Sequence, residues 1–273
     1  MATRSALINV MAGATRKAAR KLLRDFGEVE QLQVSVKGPG EFVSSADLTA
    51  ERTLKTELAK GRPGYGFLLE EGGIEEGRDK NNRFIVDPLD GTTNFLHGIP
   101  HFAISIALER EGNLVAGIVY DPVKDEMFWA EKGVGAYVNE RRIRVSARRD
   151  LAQSVIATGI PFRGRGDHAL FLKTLEPVMA ATSGVRRWGV ASLDLAYVAA
   201  GRFDGFWEFD LKPWDMAAGL VLVREAGGYI SDLQGGQTMM DSGTVLATND
   251  YLQNPLRQLL SEAMGGRPVL HRK

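Results

Sequence analysis

The stretch Asp87-Pro88-Leu89-Asp90-Gly91-Thr92-Thr93-Asn94-Phe95 follows directly on the apolar run Phe84-Ile85-Val86. A strand end that opens into a Pro/Gly turn is a common place for functional groups to be presented. Pro88 fixes its own φ, and Gly91 permits a turn that other residues resist. The two acids therefore stand on a stiff hinge with defined directions. Mg2+ takes near-octahedral oxygen ligation at about 2.0–2.1 Å and keeps several waters. The oxygens of Asp87 and Asp90, with the Leu89 carbonyl between them, can bridge two such ions. Asp-Pro and Asp-Gly are also ordinary turn formers, as Asp121-Pro122 illustrates elsewhere in the chain. The bare pair of acids fits either reading; a random turn rarely carries the full nine-residue string.

Outward from this hinge, helices and strands are interspersed. Leu7, Val10, Met11, Ala14, Ala18 and Leu22 recur at helical spacing and predict a first helix ended by Gly27. Leu32, Val34 and Val36 alternate as in a strand, and a second helix is expected over Ser45–Lys60. Gly66–Leu69 is a short apolar segment. Phe102–Leu108, Leu114–Tyr120 and Glu126–Ala130 are separated by turn signals and fit a meander, with another short strand at Gly133–Val138. Beyond residue 151, strands are expected at Ser154–Thr158, Phe203–Glu208, Tyr229–Ser231 and Val245–Ala247. Helices are expected at Ala169–Ala181, Ala191–Ala200, Trp214–Ala226 and Asn254–Met264. This ordering predicts layered α and β structure rather than a plain βαβ repeat. Residues 1–273 are read as one unit, with a possible subdomain boundary near 145–150.

The bulk numbers set limits. The 273 residues contain 34 basic and 34 acidic side chains, 44% hydrophobic residues and no cysteine. That is ordinary globular composition with material for a sizeable core. Disulfides, thiolate catalysis and zinc–thiolate sites are excluded. The zero net charge gives no indication of a nucleic-acid surface. No apolar run approaches the roughly 18 residues of a membrane span, so no membrane association is expected. The basic residues Arg4 to Arg24 fall on the amphipathic first helix and read as part of a mature, cytoplasmic protein rather than a targeting peptide. His97, His101, His168 and His271 show no metal-ligand spacing and are read as non-catalytic; no P-loop and no G-x-S-x-G elbow appears.

Pro213-Trp214-Asp215-Met216-Ala217-Ala218-Gly219, running on to Glu225-Ala226-Gly227-Gly228, forms a second distinctive segment. Together with Asp87–Phe95, and in this order, it resembles the inositol monophosphatase family, a group of lithium-sensitive Mg2+ phosphatases. The resemblance extends over nearly the whole chain. It implies a five-layer α/β/α/β/α sandwich of the inositol monophosphatase and fructose-1,6-bisphosphatase type, two or three Mg2+ ions, a homodimer, and a small phosphate monoester as substrate. Inositol 1-phosphate is the first choice. Sibling activities on fructose 1,6-bisphosphate, histidinol phosphate or adenosine 3',5'-bisphosphate are the alternatives, and a protein-binding role with an incidental site is a reading of another class.

By this resemblance Glu70, Asp87, the Leu89 carbonyl, Asp90 and Asp215 hold the metals. Asp47 orients Thr92, and these two, with Glu70, form the catalytic group that activates water. Asp90, Gly91, Thr92, Gly189, Val190, Ala191, Glu208 and Asp215 line the substrate. By residue pattern alone Asp47 also fits a helix-capping box with Ser44, Asp215 a helix cap, and Glu70 and Glu208 solvated charges. Two positions depart from the family pattern. Leu69 replaces the usual glycine before Glu70-Glu71, and Val190 stands where Ser or Thr is frequent. Arg186 and Arg187, just before Gly189, read as solvated charges, subunit contacts or substrate neighbours.

Overall fold

The computed structural model describes residues 4–28, 34–38, 41–162, 164 and 166–266. Helix α1 (Ala6–Phe26) begins where the Ser5 side chain accepts the Ile8 N–H and ends against Gly27, burying Ile8, Met11, Ala18 and Leu22 on one face. Leu32 of the expected early strand lies outside the described residues. Strands β1 (Val34–Gly38) and β2 (Glu41–Ser44) pair as an antiparallel ribbon, which leads into α2 (Ser45–Gly61).

The next eight strands form one sheet. They are β3 (Tyr65–Leu69), β4 (Gly73–Glu75), β5 (Asp79–Asp90), β6 (Ala103–Arg110), β7 (Asn113–Asp121), β8 (Glu126–Glu131), β9 (Gly135–Val138) and β10 (Arg141–Arg142), with the short helix α3 (Thr92–Leu96) after β5. Their order is β10-β9-β8-β7-β6-β5-β3-β4. The expected meander is present as β6, β7 and β8, all antiparallel neighbours. Phe84–Val86 is the apolar centre of a strand of 12 residues. The expected strand at Gly133 starts two residues later, because Gly133 itself turns with φ 79°.

The rest of the chain builds a second sheet and its helices. In order come β11 (Val155–Thr158), α4 (His168–Ala181), β12 (Gly184–Arg186), α5 (Ala191–Ala199), β13 (Gly205–Glu208), α6 (Pro213–Glu225), β14 (Tyr229–Ser231), α7 (Met239–Ser242), β15 (Val245–Thr248) and α8 (Gln253–Ala263). The five strands run β12-β11-β13-β15-β14.

Three apolar cores fill the four interfaces of five layers, the middle core lying on both sides of its helices. In the first, Ile8 of α1 and Leu54 of α2 pack on Phe84, Val86 and Ile106 of the large sheet. In the second, Leu195 of α5 and Leu222 of α6 lie between Ile85 and Val119 on one side and Phe206 and Ala247 on the other. In the third, Ile156, Trp207 and Leu246 meet Phe171 of α4 and Leu256 of α8. Successive strand residues point to opposite faces, so Phe84 and Ile85, or Phe206 and Trp207, each serve two cores. A strand buried on both faces reads as a continuous apolar run, as these do. The layering is therefore α/β/α/β/α, as the resemblance implies. No helix among the described residues is long and apolar enough to cross a membrane.

Candidate active site

Two sheet features bring distant acids together. Strands β3 and β5 run parallel, with Leu69 in register with Val86. The next residues, Glu70 and Asp87, therefore leave the same edge side by side, and the Glu70 N–H donates to the Val86 carbonyl at 3.2 Å. Against β6, Asp87 pairs with Ser105 but Asp90 with Ala103. Three steps on β5 thus match two on β6, which is a β-bulge. An extra residue re-aims the side chains that follow it, and in a regular strand residues three apart point to opposite faces. Pro88 sits in the bulge, where its missing N–H costs no ladder bond.

Gly91 then turns the chain with φ 94°, and a Cβ there would stand 2.8 Å from Val190 Cγ2. The turn enters α3, which starts with Thr92. The Thr92 hydroxyl lies 3.0 Å from both Asp47 Oδ1 and the Leu89 carbonyl oxygen. Asp47 is fully buried in the first turn of α2 and its Oδ2 accepts the Ser44 N–H at 2.9 Å. The capping box expected from the residue pattern and the contact to Thr92 are both present, one on each carboxylate oxygen. Burial raises the Asp47 carboxyl above its ordinary range, while hydrogen bonds from Ser44 and Thr92 oppose the rise.

Backbone N–H groups fix the directions of three acids. Asp87 Oδ1 accepts the Leu89 N–H at 2.9 Å, Asp90 Oδ2 accepts the Ser192 N–H at 2.8 Å, and Asp215 Oδ2 accepts the Lys212 N–H at 2.7 Å. Asp215 lies in the first turn of α6, where the helix dipole favours an acid. Trp214 beside it packs on the central core, and its carbonyl accepts the Ser105 hydroxyl at 3.3 Å. Because Ser105 is the register partner of Asp87, α6 is held next to the bulge.

These acids act on one another. Burial, then Glu70, Asp90 and Asp215, push the Asp87 carboxyl well above its ordinary range. Burial, then Asp215, push Asp90 up to about 7, and the Ser192 side chain, then the Ser192 and Ala191 backbone, partly offset this. Four carboxylates that repel one another, Asp87 buried and Glu70, Asp90 and Asp215 half-buried around it, form an all-oxygen donor set suited to hard divalent cations. They are neighbours through their fields rather than as a closed cage: among the described residues, no three His, Asp or Glu side chains are spaced to hold a metal ion together.

The second sheet supplies the facing wall. Strands β11 and β13 are parallel, with Thr158 opposite Trp207. Glu208 therefore emerges beside Gly159, so closely that a Cβ on Gly159 would overlap the Glu208 carboxylate. Gly189, with φ 75°, leads into α5, whose N-terminal residues Ala191 and Ser192 face Asp90. Asn94 Nδ2 donates to the carbonyls of His101 and Trp188, 2.9 Å each, and so ties this approach to α3. The Val190 side chain is fully buried against Gly91 and belongs to the packing of the wall. Arg186 and Arg187 are both exposed.

Three groups in this region were not singled out by sequence. The Ser192 backbone N–H leaves no trace in residue type. Asp194, buried in α5, is pushed well above the ordinary carboxylate range by burial and then by Glu208 and Asp90; an acid inside an apolar helical run is its only signal. Glu51 lies one turn after Asp47 on the same face of α2, a spacing that was legible.

The five layers and the acid-lined strand ends are those of a layered α/β phosphatase. The chain belongs to the inositol monophosphatase family, whose model matches residues 3–264. The inositol-1-monophosphatase of Mesorhizobium japonicum is 59% identical over 264 residues, spanning 97% of this chain and 99% of that one. The Nus factor SuhB of Pseudomonas aeruginosa is 43% identical over 247 residues, spanning 89% and 91%. The crystal structure of the extragenic suppressor protein suhB from Bartonella henselae superposes with a TM-score of 0.93 at 55% identity, covering 94% of this chain and 99% of that one.

Proposed function

We propose that this protein is a Mg2+-dependent phosphatase that hydrolyses inositol 1-phosphate or a closely similar polyol phosphate. The mutual repulsion of Glu70, Asp90 and Asp215 with the buried Asp87 carries this reading. Glu70, Asp87, the Leu89 carbonyl, Asp90 and Asp215 would hold the ions. When bound, the ions supply a polarised water and neutralise charge on the phosphoryl and leaving oxygens.

The chain's own groups do the rest. The Thr92 hydroxyl points toward Asp47 Oδ1, so as its oxygen takes a proton from a water it passes its own proton to the Asp47 carboxylate. The Ala191 and Ser192 backbone at the N-terminus of α5 holds Asp90 in place. Glu208 accepts a hydroxyl of the substrate, opposite the acids on the other wall. Positioning and electrostatics provide most of the rate enhancement, as in phosphoryl transfer generally. No covalent phospho-enzyme is required.

The identity to an inositol-1-monophosphatase at 59% supports the substrate choice. Lithium sensitivity and a homodimeric assembly are carried by the family resemblance, and a cytoplasmic location by the reading of the first helix as mature rather than a targeting peptide. The reading as a binding partner with an idle site is opposed by the four acids, whose repulsion is costly without cations. Phosphate release from inositol 1-phosphate, fructose 1,6-bisphosphate, histidinol phosphate and adenosine 3',5'-bisphosphate, each with Mg2+, is the deciding measurement. Inositol 1-phosphate is expected to be turned over fastest, with loss on chelation and recovery with Mg2+. Absence of Mg2+-dependent release from all four substrates overturns the reading.

A further inference from the structure

We propose that Glu51 is a positioning residue for the cation site, because its buried carboxylate sets the path of the turn that carries Glu70. Glu51 is 7% exposed, and its Oε2 accepts the Glu71 N–H at 2.9 Å. A buried carboxylate among other acids is costly unless hydrogen-bonded, and a bond from a backbone N–H to an ionised oxygen is one of the stronger kinds. Strands β3 and β4 pair with Leu69 opposite Gly73, so Glu70, Glu71 and Gly72 form the whole turn between them. Two backbone bonds fix that turn. One runs from the Glu70 N–H to the Val86 carbonyl at 3.2 Å, and the other is the bond to Glu51.

The packing points the same way. A Cβ on Gly72 would stand 3.0 Å from Leu69 Cδ1 and 3.1 Å from Glu51 Oε1. Leu69, where the family usually has glycine, is 1% exposed and closes the far side of the turn. Glu51 follows Asp47 by one helical turn, so both point from the same face of α2. Asp47 reaches Thr92 after β5, and Glu51 reaches the turn after β3. The helix α2 thereby brackets both loops and fixes the spacing between Glu70 and Thr92. Glu51 acts through Glu70 and touches no reacting atom.

The inference rests on the reading of Glu70 as a cation ligand, and the test separates the two. Mn2+ binding to the substrate-free protein is measured by electron paramagnetic resonance for the wild type, Glu51→Ala, Glu51→Met, Glu51→Gln and Glu70→Gln, with circular dichroism and melting curves alongside. Glu51→Ala and Glu51→Met should weaken Mn2+ by about tenfold, the usual scale for a supporting residue, with the KM for inositol 1-phosphate at saturating metal unchanged. Glu51→Met keeps the bulk of the side chain and covers the case in which the alanine variant does not fold. Glu51→Gln retains an acceptor oxygen and should stay within about twofold of the wild type, below the usual cost of losing such a support. Unchanged Mn2+ affinity in both Glu51→Ala and Glu51→Met, with Glu70→Gln weakened, overturns the role of Glu51 alone. A glutamine variant as weak as the alanine one also overturns it. Unchanged affinity in Glu70→Gln overturns the ligand reading beneath it.

Discussion

Asp90 and Ser192 are joined across 102 positions of sequence, the Ser192 N–H donating to Asp90 Oδ2 at 2.8 Å. The end of β5 is thus fastened to the start of α5, and the acid proposed as a cation ligand also holds that helix. The two roles separate by mutation. Asp90→Asn keeps an oxygen for Ser192 but removes the charge, so its melting temperature should stay near that of the wild type while kcat falls at least about 100-fold, as for loss of a key electrostatic group. Asp90→Ala should lose activity and, in addition, about 1–3 kcal/mol of stability for the orphaned N–H. Near-wild-type turnover by Asp90→Asn in Mg2+ contradicts the site.

The surroundings of Asp87 oppose its charge. Its ionised form is disfavoured by burial and by three neighbouring acids, so the uncharged Asp87→Asn relieves the metal-free protein. At pH 8 with chelator, that variant should melt higher than the wild type. Mg2+ should stabilise the wild type by about 2.7 kcal/mol at a hundred times Kd, raising its melting temperature, and should leave Asp87→Asn unmoved. Equal Mg2+ responses in the two proteins refute a ligand role for Asp87.

The Thr92 hydroxyl is tested by removing it without changing shape. Thr92→Val should cut kcat by about 100-fold or more, the scale of a lost proton-transfer partner. Thr92→Ser should retain much of the rate. Equal losses in both variants would point to packing of the methyl group instead.

His101 gives the fold a pH dependence of its own. Burial, and then the Lys124 charge, lower its pKa to about 4, with Asp121 opposing. The unfolded chain takes up this proton near pH 6.5. Between those values the unfolded state binds more protons, so this contribution is complete above pH 6.5 and drains away as pH falls toward 4. His101→Phe keeps a ring against Trp188, which the histidine meets edge-on at 5.0 Å, and should flatten melting temperature against pH over that window. A slope identical to the wild type's excludes His101 as its source.

Periodicity and turn chemistry made much of the fold legible in advance. The helix α1 and the β6–β8 meander follow directly from apolar spacing and turn signals. The five layers do not, because a doubly buried strand and a buried helix both read as apolar runs, and nothing local says which faces meet. Only the middle of β5 was legible, since Asp79–Arg83 is polar and carries no strand signal. Helix α3 spans five residues, too few for a period. In the site, the Asp87–Phe95 string and Asp215 stood out through family resemblance, while the bulge that aims Asp87 and Asp90 together exists only in the pairing with β6. Glu51 was the one missed side chain whose helical spacing from Asp47 was plainly on view.

The acids of this site come from both sides of the change of sheet, Glu70, Asp87 and Asp90 from the eight-stranded one and Asp215 from a helix that follows β13 of the other. Pairings so far apart in sequence are slow to form. In a refolding experiment, recovery of divalent-cation affinity should therefore trail the return of secondary structure, and a chain arrested with only its first sheet assembled would have no competent centre to expose.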